Sequence, residues 1–305
     1  MEKVIKLEAS DISVILPTID WFIDKINREE SFHFLRVNHG MVDRYARHFV
    51  INHPAVFESF QKYLQIGDYD SILNVMYKPE WFRGLHLDND DATYRSFKSF
   101  LRVFHGYKGV SDKLHIGVSL GNGLGPLWGR LPEWDELQAA RLRIISYITH
   151  ISPYHYYHSG CLKHFSVMGE LPKLFKSMEN YNVVFIGPNH FRLFNERFDI
   201  PNFHHIETPT MGAIGMLDDI ISKIRNIRND GKTIVLVANS HIGCAYLSNE
   251  LLETDISIID IGRSFDWEFK NVFQTEDTLS NDGWYVPNEI DNKELIKHIN
   301  NLRNG

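Results

Sequence analysis

Four short stretches of this 305-residue chain combine small residues with polar or charged ones, as ligand-binding turns do. They are Asn38-His39-Gly40, Gly187-Pro188-Asn189, Asn239-Ser240-His241-Ile242-Gly243 and Asp260-Ile261-Gly262-Arg263. Each follows an apolar run that reads as a buried strand, and in a parallel sheet ligands bind beyond the carboxyl ends of the strands. The third stretch also opens a helical pattern, where free backbone N–H groups can hold an anion such as a phosphate. Arg36 and Arg263 add planar, bidentate cations suited to a diphosphate. Asp260, Asp266 and Glu268 are acids at or just past the last apolar run; a carboxylate there can act as a general base or anchor a ribose. His39 is a further proton acceptor, because imidazole titrates in the right range. Against this stands a simpler reading, in which the turns serve only geometry and the acids are solvated.

Other motifs are less specific. Gly121-Asn122-Gly123-Leu124-Gly125-Pro126 follows an apolar run but has neither dinucleotide spacing nor a Lys-Ser/Thr ending. His158-x-x-Cys161-x-x-His164 has the spacing of metal ligands, with His150 and His155 nearby, yet no second Cys/His pair complements it. A structural, partly exposed stretch with Tyr154, Tyr156 and Tyr157 explains it as well. No Gly-x-Ser-x-Gly elbow is present, so acyl hydrolysis gains no support.

The elements that must position these turns are clearest in the C-terminal half. Val183 to Ile186, Thr233 to Ala238 and Ile256 to Ile261 are short, β-branched apolar runs, and His204 to Glu207 is a weaker strand. Ile214, Leu217, Ile220, Ile221, Ile224 and Ile227 recur at helical spacing and stop at Asn229-Asp230-Gly231. A helix with Tyr246, Leu247, Leu251 and Leu252 follows the second strand. Strand and helix in alternation, with strands apolar on both faces, imply a Rossmann-like parallel sheet with flanking helices. In the N-terminal half, Phe32 to Val37, Ile72 to Met76 and Leu114 to Leu120 read as strands, and Phe97, Phe100, Leu101 and Phe104 keep helical spacing.

No repeat or Pro/Ser-rich linker divides the chain. The expectation is one domain over 1–305: a mixed, helix-rich part about 1–110, a Rossmann-like core about 111–275 and a tail 276–305. Composition is that of a globular protein, 43% hydrophobic and 23% charged, which excludes disordered and fibrous classes. Two cysteines, Cys161 and Cys244, are too few for a disulfide framework and point to a reducing, cytoplasmic setting. No stretch approaches the about 18 apolar residues of a membrane span. With 32 Lys and Arg against 39 Asp and Glu, the net charge of −7 gives no electrostatic footprint for nucleic acid, although it leaves room for a small basic groove. Arg141 and Arg143 are candidates to line one; a solvated helix face accounts for them equally.

The run from Ala238 to Leu251, followed by Ile258 to Phe269, resembles the C-terminal part of the GT-D-fold glycosyltransferases. That family has a strand, a glycine-bearing turn, a helix ending in a leucine pair, then D-I-G-H and an acidic-aromatic tail. Val183 to Pro188 resembles its preceding strand and loop, and Ser31 to Met41 its R-F-G-D-G-E segment, with Arg36 and Gly40 matching. The resemblance covers about half of the chain. It implies a GT-D-like α/β fold and transfer of a sugar from a nucleotide-sugar donor to a hydroxyl acceptor. The donor would lie among Arg36, Asn38, Gly40, Gly187, Pro188, Asn189, Asn239, Ser240, His241, Gly243, Gly262 and Arg263, with Asp260, Asp266 or His39 as base. His39 and Met41 stand where the family has the acids of its D-x-E motif, and Arg263 where it has His. Imidazole and thioether are poor ligands for a hard divalent ion, so no metal and no tightly bound cofactor are expected, and cations must meet the departing diphosphate. The implied acceptor is a surface glycan or glycoprotein, or a hydroxymethylated base in phage DNA, which places the chain in the cytoplasm of the cell or of the phage's host. A protein that kept the fold and binds a nucleotide or a partner without turnover is the alternative that the altered D-x-E motif suggests, and a transferase of a non-sugar group is the third.

Overall fold

The computed structural model describes residues 3–6, 12–37, 113–118, 154–209, 213–238, 241–262, 264–265 and 268. The strands are β1 (Lys3–Lys6), β2 (Ile12–Leu16), β3 (His33–Val37), β4 (Leu114–Val118), β5 (Tyr154–His158), β6 (Asn182–Gly187), β7 (Phe203–Glu207), β8 (Thr233–Val237) and β9 (Ser257–Asp260). The α-helices are α1 (Ile19–Asn27), α2 (Cys161–Val167), α3 (Leu171–Ser177), α4 (Leu193–Phe198), α5 (Leu217–Arg228) and α6 (His241–Leu251). All nine described strands form one sheet in the order β1-β2-β5-β4-β3-β9-β8-β6-β7. The eight strands from β2 to β7 run parallel, and β1 lies antiparallel on the edge. The class is α/β, a parallel sheet with helices on both faces.

Alternating side chains divide each strand between two cores. Val184, Ile186, Val235, Val237 and Ile258 pack with Ile220, Ile224, Leu247 and Leu251, from α5 and α6. Their neighbours Val183, Phe185, Ile234, Leu236 and Ile259 pack on the other face with Phe22, Phe165, Leu174 and Phe194, from α1 to α4. Strands buried on both faces are apolar along most of their length, which is why they show in the sequence as nearly continuous runs. Helix α1 starts where the Thr18 hydroxyl accepts the Trp21 N–H at 3.4 Å, and buries Ile19, Phe22 and Ile26 at helical spacing.

Several expected boundaries shift. The Ile214 to Ile227 stripe becomes a 3₁₀ turn, Ala213–Met216, before α5 begins at Leu217. Gly215 lies in that turn, and glycine is a poor α-helix former. The Tyr154 to Tyr157 stretch is a correction: instead of a partly exposed segment it is strand β5, with Tyr156 and Tyr157 buried between β2 and β4. Strands β1 and β2 add two more to a sheet whose N-terminal contribution looked smaller. The strand expected at Ile72 to Met76, the helical spacing of Phe97 to Phe104, the glycine loop at 121–126, and His150, Arg141 and Arg143 lie outside the described residues. Among the described residues no helix is long and apolar enough to cross a membrane.

His33 opens β3 and is fully buried. Its Nε2 lies 3.1 Å from the Ile256 carbonyl, which only accepts, so Nε2 carries the proton and Nδ1 accepts the Ser248 hydroxyl at 2.8 Å. This pair of bonds ties β3 to α6 and to the start of β9. Burial drives the imidazole pKa down to about 3. A base depressed in the folded state gives stability that is complete above the unfolded value near 6.5 and declines as pH falls toward 3. Between pH 8 and pH 5 that one group should remove about 2 kcal/mol from the wild type. Urea denaturation across this range checks it: the stability of His33→Gln should lack this component, and parallel pH profiles for the two proteins would refute it.

Candidate functional site

Parallel pairing brings the carboxyl ends of β3, β9, β8 and β6 side by side. Phe34 is paired with Ile259, Val237 with Asp260, and Ile186 with Val237, so the ends of these four strands form one rim. The Gly262 and Ile261 N–H groups both donate to the Val237 carbonyl, at 3.1 and 3.0 Å, which holds the turn after β9 against β8.

Arg36 and Asp260 meet on this rim. Both are buried, Arg36 at 8% exposure and Asp260 at 0%. Where the β3–β9 ladder ends, Asp260 Oδ2 accepts the Arg36 backbone N–H at 3.2 Å. The Arg36 guanidinium curls over the end of β9, and Nη1 donates to the Ile261 carbonyl at 2.6 Å and to Ser264 Oγ at 2.9 Å. Gly262 lies directly against it, with φ +44°, and a Cβ there would sit 2.6 Å from Nη1. Cys244, in the first turn of α6, faces the same pair. Burial, followed by the Asp260 carboxylate, pushes its thiol pKa well above the ordinary value, so at neutral pH it is a donor toward Asp260 and not a nucleophile.

The neighbouring end of the rim is a topological switch point. After β6 the chain turns to α4 on one face, while after β8 it turns to α6 on the other. Gly187 ends β6 there, because a Cβ would lie 2.9 Å from Phe191 and 3.0 Å from the Ala238 Cβ. Pro188 is buried and Asn189 exposed. The His205 ring bonds the Gly187 carbonyl through Nε2 at 3.1 Å, and burial lowers its pKa.

Of the residues singled out in the sequence, Arg36, Asp260, Gly262 and Gly243 are brought to the β3–β9–α6 junction. Gly187, Pro188 and Asn189 lie at the end of β6, two strands from β9. Asn38, His39, Gly40, Met41, Asn239, Ser240, Arg263 and Asp266 lie outside the described residues, as does the side chain of His241, whose backbone opens α6. Glu268 is turned elsewhere: it pairs with Arg197 of α4 at 3.1 Å, while burial raises its pKa against that pull. Among the described residues no three His, Cys, Asp or Glu side chains are placed to hold a metal, and His158, Cys161 and His164 pack within β5 and α2. Ser264 went unnoticed in the sequence; its place three residues after Ile261, in the turn that Arg36 clasps, was its only signal.

No protein-family model and no curated protein sequence matches the chain. Solved structures of the domain of unknown function 1792 do resemble it. One, described as having a distinct glycosyltransferase fold, is 9% identical and has a TM-score of 0.46 over 92% of this chain and 94% of that one. Another, described as a new glycosyltransferase from Streptococcus sanguinis, is 12% identical with a TM-score of 0.48, over 92% and 97%. A selenomethionine-substituted structure of the same domain is 10% identical at a TM-score of 0.46. At such identities the likeness extends to the fold alone, and at these TM-scores it transfers no residue.

Gly262 makes the rim's geometry testable. An alanine there meets both a left-handed backbone and the Arg36 guanidinium, so Gly262→Ala should lose about 1–3 kcal/mol. Urea denaturation measures this; an unchanged midpoint would show that the turn does not hold Arg36 as described.

Proposed function

We propose that the chain is a glycosyltransferase that moves a sugar from a nucleotide-sugar donor to a hydroxyl acceptor. The observation that carries this reading is the placement of a buried cation and a buried carboxylate, Arg36 and Asp260, where the carboxyl ends of two adjacent parallel strands meet. That is the ligand position of an open α/β sheet, and it pairs a group that stabilises a departing diphosphate with a group that orients it. Arg263 and the amide groups at the start of α6 are the further donors in this reading.

In the transfer, the acceptor oxygen forms a bond to the anomeric carbon as the bond from that carbon to the diphosphate oxygen breaks. The leaving oxygen takes the electron pair, and Arg36 balances the charge that develops. The hydroxyl proton passes to a base, with Asp260, Asp266 and His39 as the candidates. Asp260 already accepts the Arg36 N–H through Oδ2, so it also positions the cation. A surface glycan, a glycoprotein and a hydroxymethylated base in DNA are the acceptor classes proposed; a base in duplex DNA would have to be flipped out of the stack.

A thermal-shift series over nucleoside diphosphates and nucleotide sugars tests the donor. At 100 times its Kd a true donor stabilises the chain by about 2.7 kcal/mol. Product analysis then separates turnover from binding alone, and binding without turnover would favour the protein that kept the fold and lost the activity. No stabilisation by any nucleotide would overturn both. Among Asp260→Asn, Asp266→Asn and His39→Gln, the variant that removes the base should lose about 10²–10⁴-fold in kcat with nucleoside diphosphate affinity unchanged. A substitution that only displaces Arg36 should weaken affinity as well.

A further inference from the structure

The Arg36 guanidinium is bonded unevenly. Its two hydrogen bonds, to the Ile261 carbonyl and Ser264 Oγ, both come from Nη1, the nitrogen on the Cδ side of the plane. Nε is buried and, among the described residues, has no hydrogen-bond partner, and Nη2 makes no hydrogen bond to them either. The Nε–H and the Nη2–H beside it point the same way, and together they form the edge that takes a carboxylate or phosphate bidentately. Gly262 crowds the Nη1 end, since even a Cβ there would sit 2.6 Å from that nitrogen. The clasped end is therefore closed to a ligand and the paired edge is intact.

The surroundings also decide what a ligand must be. A hard divalent ion asks for several carboxylate oxygens, whereas the described rim brings one carboxylate to this place, and its Oδ2 accepts the Arg36 N–H. The donor set of the described residues does not fit a hard metal, and a divalent ion beside Asp260 would face the Arg36 cation.

We propose that Arg36 grips a phosphoryl or diphosphate group side-on, through Nε and Nη2, and that it does so without a divalent metal. The inference deepens the donor reading and rests on the same rim. Because Nε is covered, an anion that engages it displaces what covers it, and binding is coupled to a local opening.

Inorganic pyrophosphate is the probe, titrated calorimetrically into the full chain in EDTA and again with Mn²⁺. The expected Kd values agree within twofold, and Arg36→Lys, which keeps the charge and loses the paired edge, weakens binding at least tenfold. Should that variant not fold, ¹⁵N spectra of the wild type give the same answer, because pyrophosphate should shift the Arg36 Nε–H resonance. No pyrophosphate binding, binding that appears only with Mn²⁺, an unchanged Kd in a folded Arg36→Lys, or an unmoved Nε–H resonance overturns the proposal. Failures of the two readings are distinguishable. Pyrophosphate that binds through Arg36 in a chain that no nucleotide stabilises sinks the donor reading and leaves this one. Nucleotide binding with a silent Nε–H does the reverse.

Discussion

Taking a guanidinium out of water carries a desolvation penalty of several kcal/mol, recovered only where acceptors and opposite charge are in place. For Arg36 these come from a segment more than 220 residues away: the Ile261 carbonyl, Ser264 Oγ and the Asp260 carboxylate. The carboxylate bonds the backbone N–H and not the guanidinium, so it acts on the cation through the low-dielectric space between them. Everything else on the rim depends on this junction. It exists only because β3 and β9 are parallel neighbours, with Phe34 level with Ile259, so that Arg36 comes level with the turn just after β9. A shift of two residues in that register would leave both charges buried without compensation.

The two cores explain why the chemistry is confined to a rim. Strands β6, β8 and β9 are buried at every position, so neither face of this part of the sheet is open to a ligand. What remains is the line where the strands end and the backbone turns away. The same division of helices between faces sends the chain to opposite faces after β6 and β8, and such a switch point is where open α/β sheets take their ligands. Fold and site are thus two consequences of one pattern, continuous apolar runs that stop at small and polar residues.

That pattern was legible because it is local. The runs at Val183, Thr233 and Ile256 and the stripe from Leu217 to Ile224 need only their own side chains to be recognised. Strand β5 is less legible, because tyrosine and histidine suit both a surface and an interior, and only the strands on either side settle which. His33 and Arg36 show a second limit. Each is polar in a run of apolar neighbours, and whether it is exposed or buried depends on Ser248 and Ile256 for the one, and on Asp260 and Ile261 for the other. No spacing within the strand carries that information. Gly262 is intermediate: a glycine after a strand announces a turn, but not that the turn must clear a guanidinium.

A structural arginine and a binding arginine can be told apart by how their donors are used. An arginine retained only to close the β9 turn would be best satisfied with every buried N–H paired, since one left unmet costs about 1–3 kcal/mol. Against a net stability of about 5–15 kcal/mol for a whole domain, that is a substantial penalty at a single side chain. Arg36 pays it at Nε while Nη1 makes two bonds, so the strain sits on one edge of the group and is absent from the other. Local rules that a fold obeys elsewhere and breaks at one position mark function more often than accident. The broken rule here is a hydrogen-bond vacancy with the shape and charge to complement an oxyanion, at the place where parallel sheets receive their ligands.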